Sequence, residues 1–245
     1  MSLGPPEGNG PLRRERLRTA RLYFCCGARP RDEDPEALLR SALGGGVDIL
    51  QIREKELGRA EIERAAGTFR RVCDTYSTLF IVNDDPDLAR ACDADGVHVG
   101  KHAEVRAARE LLGPEAIIGL STHSEAEISA AAQLPLDYIA VGPIWETPTK
   151  PGRPAVGLEL ITFAAANAVR PFFAIGGIDP TNAEQVVRAG ARRLCAVRAI
   201  RDAADPGGAA SGLRRAFLAA NDAPASGQDT LLDRPAPWRG VAPGG

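Results

Sequence analysis

Residues 172–200 read FFAIGGIDPTNAEQVVRAGARRLCAVRAI. An apolar run, FFAIGGI (172–178), ends on two glycines and is followed by DPTNAEQVVRAG (179–190). That second stretch has helix grammar, with Thr181 or Asn182 as the cap and Gly190 as the stop. Another apolar run, RLCAVRAI (193–200), follows at once. Strand, helix and strand in this order form a unit with parallel strands and a right-handed crossover.

The same unit recurs on the N-terminal side. Strand candidates are RLYFCC (21–26), DILQIR (48–53), LFIVND (79–84), GVHV (96–99), AIIGLST (116–122) and DYIAVGP (137–143). Helical patterns separate them, as in DPEALLRSALGGG (34–46), where Asp34 can cap and Pro35 occupies the first turn. Eight units in about 200 residues fit a single closed (β/α)8 TIM barrel better than an open doubly wound sheet. The first strand lacks a following GxGxxG, which weighs against a dinucleotide-binding fold. The barrel is expected over residues 20–220. Residues 1–19, rich in Gly, Pro and Arg, and 221–245, aperiodic and rich in Pro and Gly, are expected to be disordered extensions.

The bulk properties narrow the function. Of 245 residues, 25% are charged and 44% hydrophobic, with a net charge of -2, so neither nucleic acid nor an anionic membrane surface is expected as a partner. No apolar run reaches membrane-spanning length, and MSLGPPEGNGPLRRERLR lacks the apolar core of a signal peptide. Five cysteines without a CxxC pair argue against a disulfide framework or a structural zinc site and for a reducing cytoplasm. Each is expected to serve as a small buried hydrophobe.

In such barrels the chemistry lies at the C-terminal strand ends. On the second strand, period two turns Leu50 and Ile52 towards the helices and Gln51, Arg53 and Lys55 towards the barrel. Arg53 and Lys55 either meet an anion there or lie at a solvated strand end. The third strand ends in Asn83 and Asp84; Asp85 suits the following helix cap, which leaves Asp84 to pair with cations or hold Mg²⁺ beside a phosphate. The fifth ends in Ser121 and His123, with Ser124 as a cap. His123 reads equally as an acid–base group or a structural residue. After the sixth, Thr147, Thr149 and Lys150 crowd a proline-stiffened loop suited to phosphate. Gly176 and Gly177 after the seventh, with the end of the eighth, occupy the recurrent phosphate position of these barrels. A positive mouth with two such regions suits two phosphorylated ligands bound together.

QxRxK, VNDD, STHS, GPxWxTPTKPGR, AIGGI and VRAI, in this order from about Ala20 to Ala220, resemble the thiamine-phosphate synthase (thiamine-phosphate pyrophosphorylase) family. The resemblance implies a cytoplasmic transferase of thiamine biosynthesis. It would join a hydroxymethylpyrimidine diphosphate to a thiazole phosphate, releasing pyrophosphate by a dissociative substitution assisted by Mg²⁺. It implies that Gln51, Arg53, Lys55, Asn83, Ser121 and Lys150 hold the diphosphate substrate. Arg53, Lys55, Ser121 and Lys150 would take part in catalysis, and Asp84 would ligate Mg²⁺. Thr147 and Thr149, with Gly177, Val197 and Arg198, would hold the thiazole phosphate. A homo-oligomer is compatible with it.

One loop departs from the family pattern. Where G-Q-x-D is usual, residues 100–104 read GKHAE, with Lys101 at the Gln and Ala103 at the second metal carboxylate. His102 or Glu104 could shift into that place; otherwise a weaker metal site is expected. Two other readings are a thiazole tautomerase of the same lineage, which needs no metal, and a non-catalytic barrel that binds thiamine intermediates.

Overall fold

The computed structural model describes residues 9–148, 152 and 154–222. Eight parallel strands close into a barrel in sequence order, each pairing with the next and the last with the first. They are β1 Leu22–Cys26, β2 Ile49–Ile52, β3 Leu79–Asn83, β4 Gly96–Val99, β5 Ile117–Thr122, β6 Tyr138–Val141, β7 Phe172–Ile175 and β8 Leu194–Ala196. The helices are α1 Gly10–Thr19, α2 Glu36–Gly44, α3 Arg59–Tyr76, α4 Pro86–Ala91, α5 Glu104–Leu112, α6 Glu125–Ala131, α7 Glu159–Asn167, α8 Ala183–Arg188, α9 Arg198–Arg201 and α10 Pro206–Asp222. Asp85 and Ser124 cap α4 and α6, accepting from Leu88 N at 2.8 Å and Glu127 N at 3.2 Å. No helix among the described residues is long and apolar enough to cross a membrane. No cysteine is in a disulfide; Cys25, Cys26, Cys73 and Cys195 are buried and Cys92 is half-buried.

Period two along the strands makes two cores. Leu22, Phe24, Leu50, Ile52, Phe80 and Val82 face the helices. Tyr23, Ile49, Leu79, Ile81, Ile117, Tyr138 and Phe173 fill the barrel itself. A side chain on Gly119 would collide with the Tyr138 ring, its Cβ falling 2.1 Å from Cζ, so this glycine lets the phenol cross the lumen.

Two departures from the sequence reading stand out. Residues 1–19 were expected to be disordered, yet Gly10–Thr19 is helical and lies under the barrel, with Leu17 in the inner core. The segment hides its partners from sequence inspection because they are distant: Arg13 pairs with Asp95 at 2.8 Å and Arg14 with Asp137 at 3.2 Å. The apolar run 193–200 was read as one strand, yet pairing stops at Ala196 and α9 begins at Arg198. The expected tail 221–245 lies outside the described residues beyond Asp222.

The floor of the barrel follows a repeat. Asp48, Asp95 and Asp137 each immediately precede an even-numbered strand, β2, β4 and β6. Each carboxylate accepts a backbone N–H from the odd-numbered strand before it: Leu22 at 2.9 Å, Phe80 at 2.8 Å and Ile118 at 2.9 Å. Each also takes an arginine from an outer helix: Arg214 at 3.0 Å, Arg70 at 2.9 Å and Arg109 at 2.7 Å. Before β8 the corresponding residue is Arg193, whose Nη2 donates to the Arg18 carbonyl at 3.0 Å. Burial, and the neighbouring Arg21 and Arg18, push its guanidinium down to about 10.

Candidate active site

At the C-terminal ends of the strands lies a cavity of about 350 Å³. Each strand or the loop that follows it contributes to its wall. Cys25, Gln51, Arg53, Asn83, His98 and Ser121 line one flank; Thr147, Ile175, Gly177, Val197 and Arg198 line the other. The sequence reading named eight of these, and the fold brings them to one space: Gln51, Arg53, Asn83, Ser121, Thr147, Gly177, Val197 and Arg198. Thr149 and Lys150 lie outside the described residues.

Lys55 and Asp84 are placed differently from the expectation. The pleat of β2 ends at Ile52, so alternation no longer governs the loop beyond it. Arg53 still faces the cavity, while Lys55 is exposed and outside its lining. Glu54 organises this loop, accepting from the backbone N–H groups of Ala28 at 3.1 Å, Lys55 at 2.7 Å and Glu56 at 3.0 Å. Burial pushes its carboxyl up, but these N–H donors outweigh that and hold its pKa below the usual carboxylate range. Asp84 is exposed at the end of β3 in a left-handed conformation, φ 61°. For a residue with a Cβ this left-handed backbone is strained. Its Oδ2 accepts from Asn83 Nδ2 at 2.6 Å, so the two residues act as one polar unit.

In the loop after β4, Glu104 Oε2 accepts from Lys101 N at 3.1 Å, and Glu104 Oε1 lies 3.7 Å from the Lys101 ammonium. Glu104 therefore closes its own loop. His102 Nε2 is shielded from water and has no partner among the described residues. No group of three or more His, Cys, Asp and Glu residues there forms a metal cluster. Asp84, exposed at the end of β3 next to the cavity residue Asn83 but not itself in the lining, offers one carboxylate. Mg²⁺ is commonly held through one or two carboxylates with substrate phosphates and water completing the shell. A lone carboxylate with water and a ligand's oxygens is a donor set of the kind Mg²⁺ accepts.

Across the cavity, His123 Nδ1 lies 3.0 Å from Glu127 Oε2. Burial raises the Glu127 carboxyl, but the His123 contacts outweigh it and the net pKa is lowered. Asp179 accepts from Thr181 N at 2.8 Å, and Asp202 from Arg201 at 2.6 Å. Asp202 is thus paired with Arg201 and Asp179 is held within its own loop, while Arg53 and Arg198 offer their guanidiniums to the cavity. The sequence reading missed His98, inside GVHV (96–99): with Val97 and Val99 packed outward, period two already turns it into the barrel.

A closed parallel barrel with a cavity at the C-terminal ends of its strands, walled in part by Arg53 and Arg198, defines the (β/α)8 class of enzymes. The chain belongs to the thiamine monophosphate synthase family, whose model matches residues 22–200. The thiamine-phosphate synthase of Thermobifida fusca (strain YX) is 48% identical over 211 residues, 84% of this chain and 96% of the relative. That of Mycobacterium tuberculosis (strain ATCC 25177 / H37Ra) is 43% identical over 222 residues, 86% of this chain and all (100%) of the relative. The solved thiamine phosphate pyrophosphorylase from Pyrococcus furiosus superposes with a TM-score of 0.75 at 31% identity, covering 84% of this chain and 98% of that one. Orotidine 5'-phosphate decarboxylase from Pyrococcus horikoshii OT3, at 15% identity and a TM-score of 0.59, shares the fold alone. The chain is accordingly a transferase of thiamine biosynthesis.

Proposed function

We propose that this enzyme joins 4-amino-2-methyl-5-hydroxymethylpyrimidine diphosphate to 4-methyl-5-(2-hydroxyethyl)thiazole phosphate, giving thiamine phosphate and pyrophosphate in the cytoplasm. One observation carries the reading: two sets of phosphate-suited residues line a single cavity. Gln51, Asn83 and Ser121 orient the pyrimidine diphosphate. Arg53 neutralises its phosphates from the cavity wall, and the resemblance alone assigns Lys55, exposed outside that lining, and Lys150 to the same task. Thr147, Gly177, Val197 and Arg198 hold the thiazole phosphate on the other flank, and the resemblance assigns Thr149 to the same group. The pyrimidine methylene–oxygen bond breaks with its electron pair leaving on pyrophosphate, and the thiazole nitrogen then bonds to that carbon. Negative charge develops on the departing group, and Arg53 on the cavity wall is placed to stabilise it. No base is needed for the new bond, so the scheme asks no proton transfer of His123. Asp84 would hold Mg²⁺, which when bound supplies Lewis-acid neutralisation of the leaving pyrophosphate.

Pyrophosphate release from the two substrates, measured with and without Mg²⁺, tests this. No release at any Mg²⁺ concentration, despite binding of either substrate, defeats it. With one carboxylate on offer, Asp84→Asn is expected to raise the half-saturating Mg²⁺ at least about tenfold, a typical effect for an altered metal shell. Glu104→Ala, whose carboxylate is occupied by Lys101, is expected to leave the Mg²⁺ titration where it was.

His123, on the cavity wall and 3.0 Å from the Glu127 carboxylate behind it, gives a thiazole tautomerase a foothold as second reading. Metal-independent isomerisation of a thiazole phosphate without pyrophosphate release would select it.

A further inference from the structure

A continuous buried chain of hydrogen bonds crosses the barrel between two cavity residues. Cys25 Sγ donates to Gln51 Oε1 at 3.0 Å, and Gln51 Nε2 donates to the Tyr23 hydroxyl at 2.7 Å. The Tyr23 and Tyr138 hydroxyls are 2.9 Å apart. Tyr138 Oη is 3.0 Å from His98 Nδ1, and His98 Nε2 is 3.0 Å from Ser121 Oγ. Every member is at most 7% exposed. Phe173 packs edge-on against both phenols, with centroids at 5.3 and 5.5 Å, so neither ring has room to turn away.

The order of hydrogens follows from elementary bookkeeping. An amide NH₂ only donates, so Tyr23 accepts from Gln51. Among the described residues the other partner of the Tyr23 hydroxyl is Tyr138, so its own hydrogen goes there. A buried hydroxyl hydrogen left without an acceptor would cost about 1–3 kcal/mol. Tyr138, having accepted, donates to His98 Nδ1. The imidazole is then neutral with its hydrogen on Nε2, which donates to Ser121. Ser121 accepts from His98 and directs its own hydrogen elsewhere. Turning the Gln51 amide over reverses every step: Tyr23 would donate to Oε1, His98 would carry its hydrogen on Nδ1, and Ser121 would donate to His98.

We propose that Tyr23, Tyr138 and His98 are positioning residues that lock the amide orientation of Gln51 to the hydrogen direction of Ser121, so that Ser121 meets its ligand as a donor. What that ligand is, an anionic diphosphate, rests on the function proposed above. The locking itself does not. The two cavity groups are thus one two-state element: a ligand that fixes the Gln51 amide also fixes what Ser121 offers.

The chain has 3 histidines, so histidine-labelled protein gives few side-chain nitrogen signals, assignable by single replacements. Two-bond proton–nitrogen spectra of the whole protein are expected to show His98 as the Nε2–H tautomer. Gln51→Glu, studied at alkaline pH where the carboxylate has no hydrogen to give, is expected to switch His98 to Nδ1–H. In Tyr138→Phe, which cuts the chain, adding Gln51→Glu is expected to leave the His98 tautomer unaltered. A wild-type His98 protonated on Nδ1, or one indifferent to Gln51→Glu, overturns the proposal whether or not the enzyme turns over.

A kinetic arm adds a second readout. Tyr138→Phe is expected to lower kcat about 3- to 10-fold, the effect of one hydrogen bond, with KM for the diphosphate substrate within about twofold. Ser121→Ala is then expected to cost several-fold less in Tyr138→Phe than in the wild type. Equal cost in both backgrounds counts against the coupling. Absence of pyrophosphate release from the wild type would sink the proposed function and leave the tautomer test standing.

Discussion

Arg53→Ala is expected to lower the rate of pyrophosphate release by about 10²–10³-fold at saturating substrate, the range seen when a donor to a developing oxyanion is removed. Arg53 is half-buried on the cavity wall, and its backbone N–H continues the barrel ladder to the Cys26 carbonyl at 2.8 Å. The side chain is thus held by a fixed backbone rather than by a mobile loop. In the proposed reaction charge builds on the pyrophosphate as the carbon–oxygen bond stretches, so the loss should fall on kcat more than on KM. Arg53→Lys keeps the charge but not the planar fork, and only partial recovery is expected. Steady-state kinetics of the two variants check this. A fall in KM affinity alone, with kcat intact, would mean that Arg53 only gathers substrate.

Asp137→Ala is expected to destabilise the fold by about 3–5 kcal/mol, the cost of breaking a buried ion pair by removing one partner. The carboxylate is 5% exposed, accepts from Ile118 N, and meets Arg109 and Arg14. Its removal strips charge partners from two helices and an acceptor from β5 at once. Urea unfolding followed by circular dichroism measures it. A cost under about 1 kcal/mol, typical of an exposed pair, would show that the floor contributes little.

The strand–helix alternation made the barrel legible, because parallel strands covered by helices require continuous apolar runs separated by capped amphipathic segments. Gln51, Arg53 and Ser121 were legible for the same reason: each continues the inward phase of its strand. Lys55 was placed by extending that phase past Ile52, where no pleat exists to carry it. Helix α1 was not legible, since its Arg-rich sequence has little apolar periodicity and owes its position to Asp95 and Asp137, over 80 residues away. His98 was within reach, because its two valine neighbours already fix its direction. The relay was not: Tyr23, Gln51, His98, Ser121 and Tyr138 sit on five different strands, and only barrel closure makes them neighbours.

The repeat in the floor makes the barrel a cask of paired staves. Rivets at Asp48, Asp95 and Asp137 join the bases of β1–β2, β3–β4 and β5–β6, and the fourth pair, β7–β8, carries Arg193 where its rivet would be. Local opening starts where restraints are fewest. The amide hydrogens of β7 and β8 are therefore expected to exchange with solvent before those of the other strands, as exchange mapped by mass spectrometry would read. Gly177 and Val197, at the upper ends of these same two staves, line the cavity, so the pair expected to open first is also part of the wall that meets a ligand.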